Sequence, residues 1–276
     1  MQEYKLIATD LDGTVLDKSG RVGEDTLAAA GELSERGISL AIATGRTYSE
    51  IPEALRECPD FRYVIYSNGS VVLDKESDER LSACIPQATA IQMMKIFSDY
   101  EAHITARNGG ICYYDARYPI CDPRVGEYFR IDPNHVLCVG AYGIPKENFF
   151  DFICDLSEIE VFSLYFHSEE QRRECAARLS ALGELHIVSI YPSNHEIFHR
   201  EAGKDHALLR LAEHLGIPRE QTLTLGDSGN DIAMTKAAGL GLAVKDASPA
   251  LLSVADGVVC EGGDGVMRFV LDHYFS

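Results

Sequence analysis

Short apolar runs alternate with helix-length segments at both ends of the chain. In the first part the apolar runs cover residues 5–9, 38–43 and 63–67, with helix-length segments at 24–36 and 48–55 between them. The apolar runs are continuous rather than alternating, as expected of parallel strands covered on both faces, so the pattern predicts βαβ units. The last part repeats it, with segments at 205–215, 222–225, 231–238, 240–244, 250–254 and 257–259.

The middle reads differently. Residues 85–190 hold fourteen of the 24 Phe and Tyr, and their strand candidates mix aromatic and polar positions. Strands are expected at 103–106, 111–114, 135–139, 161–167 and 185–190, and helices at 88–100, 146–156 and 169–182. That composition suits an α+β module with a one-sided sheet. The fold class that follows is α/β: a Rossmann-like, doubly wound parallel sheet built from residues 1–84 and 191–276, with an α+β domain, residues 85–190, inserted after a hairpin at 68–83.

Composition sharpens this reading. The chain of 276 residues has 25 Lys and Arg against 43 Asp and Glu, a formal charge of −18. Such an excess opposes sequence-independent attraction to nucleic acid or anionic lipid, so small-molecule chemistry is favoured. The inserted region carries nine cations against fifteen anions, so most of the excess belongs to the flanks. No apolar run approaches the ~18 residues of a membrane span, and the opening residues are too short and polar for a signal peptide; a cytoplasmic protein is expected. Eight scattered cysteines, without CxxC spacing, read as reduced thiols. Nine histidines show no metal-ligand spacing and read as structural or solvated.

Chemistry concentrates at the carboxyl ends of the expected parallel strands, where open α/β sheets bind ligands. The first strand delivers Asp10-Leu11-Asp12-Gly13-Thr14, the second Thr44-Gly45-Arg46, the third Ser67-Asn68-Gly69, and the fourth Gly226-Asp227-Ser228-Gly229-Asn230-Asp231. A strand order of 3-2-1-4-5 makes Asp10 and Asp227 neighbours where the order reverses. Carboxylates converging there repel one another unless a hard cation intervenes, and Mg²⁺ suits a site of one or two carboxylates with water and phosphate oxygens. Lys204, before an apolar helix, adds a positive charge. Taken singly, the motifs have plainer readings: Asp-x-Asp as a turn, Thr44 as a helix N-cap, Asn68-Gly69 as a hairpin turn, Arg46 as a surface ion pair. Two rival enzyme readings are weaker. Asp-x-Asp of a sugar-nucleotide transferase normally follows a nucleotide-binding unit, and Ser228 as a hydrolase nucleophile lacks a histidine partner. No GxGxxG follows any strand, which disfavours a dinucleotide site.

The ordered set of Asp10 to Thr14, Thr44 to Arg46, Asn68-Gly69, Lys204 and Gly226 to Asp231, with Asp264-Gly265-Val266 near the end, resembles the haloacid dehalogenase (HAD) superfamily. Within it, the chain is most similar to the Cof-type (subfamily IIB) phosphatases, which resemble sugar phosphatases and carry an α+β cap of the C2B type. The resemblance implies a phosphomonoester hydrolase in which Asp10 is the nucleophile and Asp12 the acid and base. It implies Mg²⁺ held by Asp10, the Asp12 carbonyl and Asp227. It gives Thr44 and Lys204 to the phosphoryl oxygens, Gly45, Arg46, Asn68 and Asn230 to the phosphate and substrate side, and Asp231 to a supporting role. Two positions depart from the family pattern: Asp205 follows the lysine in place of glycine, and Lys245-Asp246-Ala247 replaces a stretch ending in Asn-Ala. The implied substrate is a small phosphorylated metabolite, sugar phosphates first and pyridoxal phosphate or flavin mononucleotide (FMN) next. Arg107, Asn108, Arg117 and His167 are candidate readers of the leaving group. A monomer or weak homodimer is expected. The reading from another class is a non-catalytic binding or regulatory protein on the same fold.

Overall fold

The computed structural model describes residues 4–189 and 191–275. The first part of the chain forms β1 (Leu6–Thr9), α1 (Glu24–Glu35), β2 (Ser39–Ala43), α2 (Glu53–Arg56), β3 (Tyr63–Tyr66), β4 (Val71–Asp74) and β5 (Arg80–Ser82). The middle forms β6 (Ile85–Pro86), α3 (Gln87–Phe97), β7 (Ala102–Asn108), β8 (Ile111–Asp115), α4 (Pro123–Phe129), α5 (Pro133–Tyr142), β9 (Ile144–Lys146), α6 (Phe149–Asp155), β10 (Glu158–Ile159), β11 (Val161–Phe166), α7 (Glu169–Ser180), β12 (Leu185–Val188) and β13 (Asn194–His199). The last part forms α8 (Lys204–His214), β14 (Thr222–Gly226), α9 (Ile232–Ala237), β15 (Leu240–Ala243), α10 (Pro249–Leu252), β16 (Gly257–Val258) and α11 (Val266–Tyr274). Two compact units result: Met1–Arg46, Ile51–Ser82 and Gly203–Ser276 in the first, Thr47–Glu50 and Ala83–Ala202 in the second.

The first unit is α/β, with an eight-stranded sheet in the order β16-β15-β14-β1-β2-β3-β4-β5. It is parallel from β16 to β3, and β4 and β5 add an antiparallel edge. The chain winds outward from β1 to β3 and then, from β14 to β16, in the opposite direction. The reversal therefore lies between β1 and β14, as the expected order required. On one face, Leu6, Ala8, Ala41, Ala43, Tyr63 and Ile65 pack against Ala207, Leu208, Leu211 and Ala212 of α8 and Met234 of α9. The alternation along each strand turns these positions to one side, and the spacing on α8 makes a single stripe.

The second unit has a six-stranded sheet in the order β12-β13-β11-β7-β8-β9 and a small β6-β10 pair. Ala102, Ile104, Ala106, Phe162, Leu164 and Phe166 face a core completed by Met93, Met94 and Phe97 of α3, Phe149 and Ile153 of α6, and Cys175 and Leu179 of α7. The opposite face is also packed: Cys112, Tyr114 and Tyr165 meet Ile120, Phe129, Ile131 and Val139. The one-sided sheet expected from sequence is thus covered on both faces, because α4 and α5 lie over the second.

Other local expectations are corrected with it. The run 135–139 is helical, not a strand: Pro133 opens α5, and the Asp132 side chain accepts the N–H groups of Asn134 and His135 at 2.9 and 3.3 Å. An N-cap and a proline at the first helical position outweigh a short apolar run. The segment 48–55 is not one helix. Tyr48–Glu50 is a single tight turn and α2 begins after Pro52, which cannot donate the interior helical bond. Residues 146–156 divide into the end of β9 and α6. The inserted region was expected to end at residue 190, which lies outside the described residues. β13 nevertheless pairs antiparallel with β11 and β12, and the second unit continues to Ala202.

Candidate functional site

The site forms in the first unit, at the carboxyl ends of β1 and β14. Strand β1 is wholly buried, and the Asp10 N–H continues its pairing by donating to the Leu225 carbonyl at 3.0 Å. The backbone then turns sharply through Leu11–Val15. Asp10 is consequently fixed by sheet hydrogen bonds while its carboxylate points beyond the strand end, 4 % exposed.

Lys204 reaches it from α8. It occupies the same buried stripe as Ala207, Leu208 and Leu211, so packing that stripe on the sheet carries the ammonium inward. Its Nζ donates to Asp10 Oδ1 at 2.6 Å and to Asp231 Oδ1 at 2.8 Å. The second oxygen of Asp231 accepts the Asp227 and Ser228 N–H groups at 3.1 and 3.2 Å. Asp231 is therefore held at both oxygens, which suits an orienting role. Asp227 approaches Gly13 so closely that a Cβ there would lie 2.4 Å from its Oδ2, and Gly13 has φ +78°. Only glycine satisfies both requirements.

Asp10, Asp227 and Asp231 each offer a carboxylate oxygen, all within 4.8 Å of one another. The electrostatics reflect this crowding. Burial pushes the Asp10 carboxyl up to about 7; Lys204 opposes the rise, and Asp231 and Asp227 reinforce it. Burial also raises Asp227, with the Asp231 and Asp12 carboxylates adding to it. Burial alone would lower the Lys204 ammonium, but the Asp10 and Asp231 carboxylates hold it above its ordinary value. One ammonium thus faces three carboxylates in a partly desolvated space. The all-oxygen donor set and the surplus of negative charge fit a hard divalent cation such as Mg²⁺.

The remaining candidate residues lie on neighbouring loops. Thr44 is buried, and its Oγ1 accepts the Arg46 N–H at 3.1 Å, tightening its own loop rather than capping a helix. Arg46 grips Asp12 bidentately, Nε to Oδ2 at 2.9 Å and Nη2 to Oδ1 at 2.6 Å. Of its two sequence readings, substrate contact or ion pair, the structure displays the pair, made with the other motif carboxylate. Asn68 adopts φ +55°, and its Oδ1 packs against Gly45, where a Cβ would meet it at 2.8 Å. Asn230 is exposed and accepts the Ser228 hydroxyl at 2.7 Å. The two departures from the family pattern find structural uses: Asp205 lies in the first turn of α8, directly after Lys204, and Asp246 accepts the Gly262 N–H at 2.8 Å.

Three contributors were not assigned from sequence. The Thr14 hydroxyl lies 3.4 Å from Asp10 Oδ2 and donates to it. Ser67 is fully buried with φ +50°, and Arg210 of α8 donates to the Gly69 carbonyl at 2.7 Å. Thr14 could have been found from its place in the first motif. Arg210 carries no local signal.

The sheet thus reverses at β1 and β14, with an aspartate cluster and a buried lysine at the reversal. Residues 7–270 match the model of the haloacid dehalogenase-like hydrolases, and the chain belongs to that family. Among curated relatives, it is 27 % identical to phosphatase YwpJ of Bacillus subtilis, over 98 % of this chain and 99 % of that protein. It is 27 % identical to 5-amino-6-(5-phospho-D-ribitylamino)uracil phosphatase YitU of the same organism, over 98 % and 97 %. The fold matches that of BT1666 from Bacteroides thetaiotaomicron, a phosphatase of the same superfamily, with a TM-score of 0.79 and 22 % identity over 99 % and 96 % of the two chains. No helix among the described residues is long and apolar enough to cross a membrane.

Proposed function

We propose that the protein is a Mg²⁺-dependent phosphatase of small phosphorylated metabolites that works through an aspartyl-phosphate. The observation that carries this reading is the buried Asp10 carboxylate, held by Lys204 and crowded by Asp227 and Asp231 at the sheet reversal. Asp10, the Asp12 carbonyl and Asp227 would hold the cation, which when bound supplies positive charge to the phosphoryl oxygens and keeps Asp10 ionised.

The chain's own groups supply the rest. An Asp10 oxygen attacks phosphorus while the bond from phosphorus to the ester oxygen breaks, and Asp12 gives its proton to that leaving oxygen. Water then attacks phosphorus, Asp12 takes up a proton from it, and the bond to Asp10 breaks, releasing phosphate. Asp12 must slacken its grip on Arg46 to carry the proton, which its half-exposed position allows. Lys204 and the Thr44 hydroxyl face the growing charge on the phosphoryl oxygens, and Gly45 and Asn68 line the same loops. Arg46 and Asn230 serve the substrate side and Asp231 orients Lys204.

Sugar phosphates are the leading substrates. A phosphorylated cofactor such as FMN is the second reading, favoured by the relative whose named substrate bears a ribityl phosphate. The small, phosphorylated ligand also agrees with the acidic chain, which disfavours nucleic acid. A phosphate-release screen over sugar phosphates, FMN, pyridoxal phosphate and an aryl phosphate, with Mg²⁺ and with chelator, tests the proposal. Release that requires Mg²⁺ is expected. Absence of release from every compound would favour the binding-protein alternative.

A further inference from the structure

Ser67, Asn68 and Gly69 form a run of three left-handed residues, with φ of +50°, +55° and +84°. Two of the three carry side chains, which disfavour this region, so surrounding structure must hold the run in place. The restraints are specific. The Ser67 N–H donates to the Arg46 carbonyl at 2.8 Å and the Asn68 N–H to the Thr44 carbonyl at 3.3 Å. Gly69 lies against the peptide joining Gly203 to Lys204, since a Cβ on it would fall 2.2 Å from the Gly203 oxygen. From the far side, the Arg210 guanidinium donates to the Gly69 carbonyl at 2.7 Å.

The first three of these restraints use backbone that any sequence possesses. Arg210 adds a charged side chain, six residues along the helix that begins with Lys204. Its bond ties the end of the strained run to α8, and the run in turn fixes the loop bearing Thr44 and Arg46. We propose that Arg210 is a positioning residue: by clamping Gly69 it sets the register between Lys204 and the Thr44-to-Arg46 loop, and so the spacing of the groups that would receive a phosphoryl oxygen. The proposal rests on the phosphatase reading for its consequence, but not for the clamp itself. The sequence offers no hint of it, because positions 69 and 210 are joined only by the packing of α8 on the sheet.

The test uses the full chain with Arg210→Met, which removes the donors and keeps an unbranched apolar stem, and Arg210→Lys, which restores one donor. Hydrogen exchange reports the clamp directly. The Ser67 and Asn68 amides should exchange about tenfold faster in the Met variant and return most of the way in the Lys variant. Steady-state assays report its use: KM for an aryl phosphate and the inhibition constant of inorganic phosphate should both rise about tenfold in Arg210→Met, with partial rescue by lysine. A purely structural arginine would lower the melting temperature and leave KM and the inhibition constant unchanged in both variants; that result would overturn the proposal. Unchanged exchange at Ser67 and Asn68 would overturn it too. If the wild-type protein released no phosphate, the phosphatase reading would fail while the exchange experiment still decided the clamp.

Discussion

One buried and one half-buried histidine of the second unit make its stability fall in mild acid. His103, on β7, is fully buried, with its ring 6.4 Å from that of Tyr114 and 6.2 Å from that of Phe129. Burial lowers it to about 4, against weaker opposition from the Tyr118 backbone and Asp115. His135, on α5, has its ring 4.9 Å from that of Tyr165 and is lowered to about 3, by burial first and then by the Arg107 and His103 charges. Both are neutral in the fold at pH 5, whereas in the unfolded chain each takes up a proton once the pH drops below about 6.5. The unfolded state therefore binds more protons between pH 6.5 and 4, and stability is complete above that window and declines as pH falls through it. Integrating from pH 8 to pH 5 gives a loss of about 2 kcal/mol for each histidine. The assay is urea unfolding at the two pH values for the wild type, His103→Phe and His135→Leu. Comparing each variant's own pH difference cancels the other titrating groups. Each substitution should shrink the pH-dependent loss by about 2 kcal/mol, and a loss unchanged in both variants would refute the reasoning.

Two further substitutions probe the site. Gly13→Ala places a Cβ against Asp227 Oδ2 in a left-handed residue, so turnover should fall at least about 100-fold and the concentration of Mg²⁺ needed for half-maximal rate should rise, both measurable by magnesium titration of phosphate release. Lys204→Met leaves the Asp10 and Asp231 carboxylates without their shared cation; urea unfolding at pH 7.5 should show a loss of roughly 3–5 kcal/mol, and phosphate release should be nearly abolished.

The first unit was legible because its signals are local and repeated. Continuous apolar runs gave the parallel strands, and the expected reversal brought Asp10 next to the β14 loop without any knowledge of side-chain contacts. The middle was harder for two physical reasons. A segment such as 135–139, four of its five residues apolar, fits strand or helix, and only the Asp132-Pro133 start decides. The turn at Tyr48–Glu50 and strand β13 join the second unit through long-range pairing that local pattern does not encode. The same limit applies within the site. Asp12, Arg46 and Lys204 are visible as residues, but the grip of Arg46 on Asp12 spans 34 positions and that of Arg210 on Gly69 spans 141. Such pairs exist only after the strands and α8 have packed.

The central claim is that phosphorus passes through a covalent bond to Asp10. Acid-quenching the protein during turnover of an aryl phosphate with Mg²⁺, followed by mass spectrometry of its peptides, tests this most directly. A phosphate adduct should appear on the peptide containing Asp10 in the wild type and be absent from Asp10→Asn, whose turnover should fall by at least about 1000-fold while its fold persists. Undiminished phosphate release by Asp10→Asn would contradict the account.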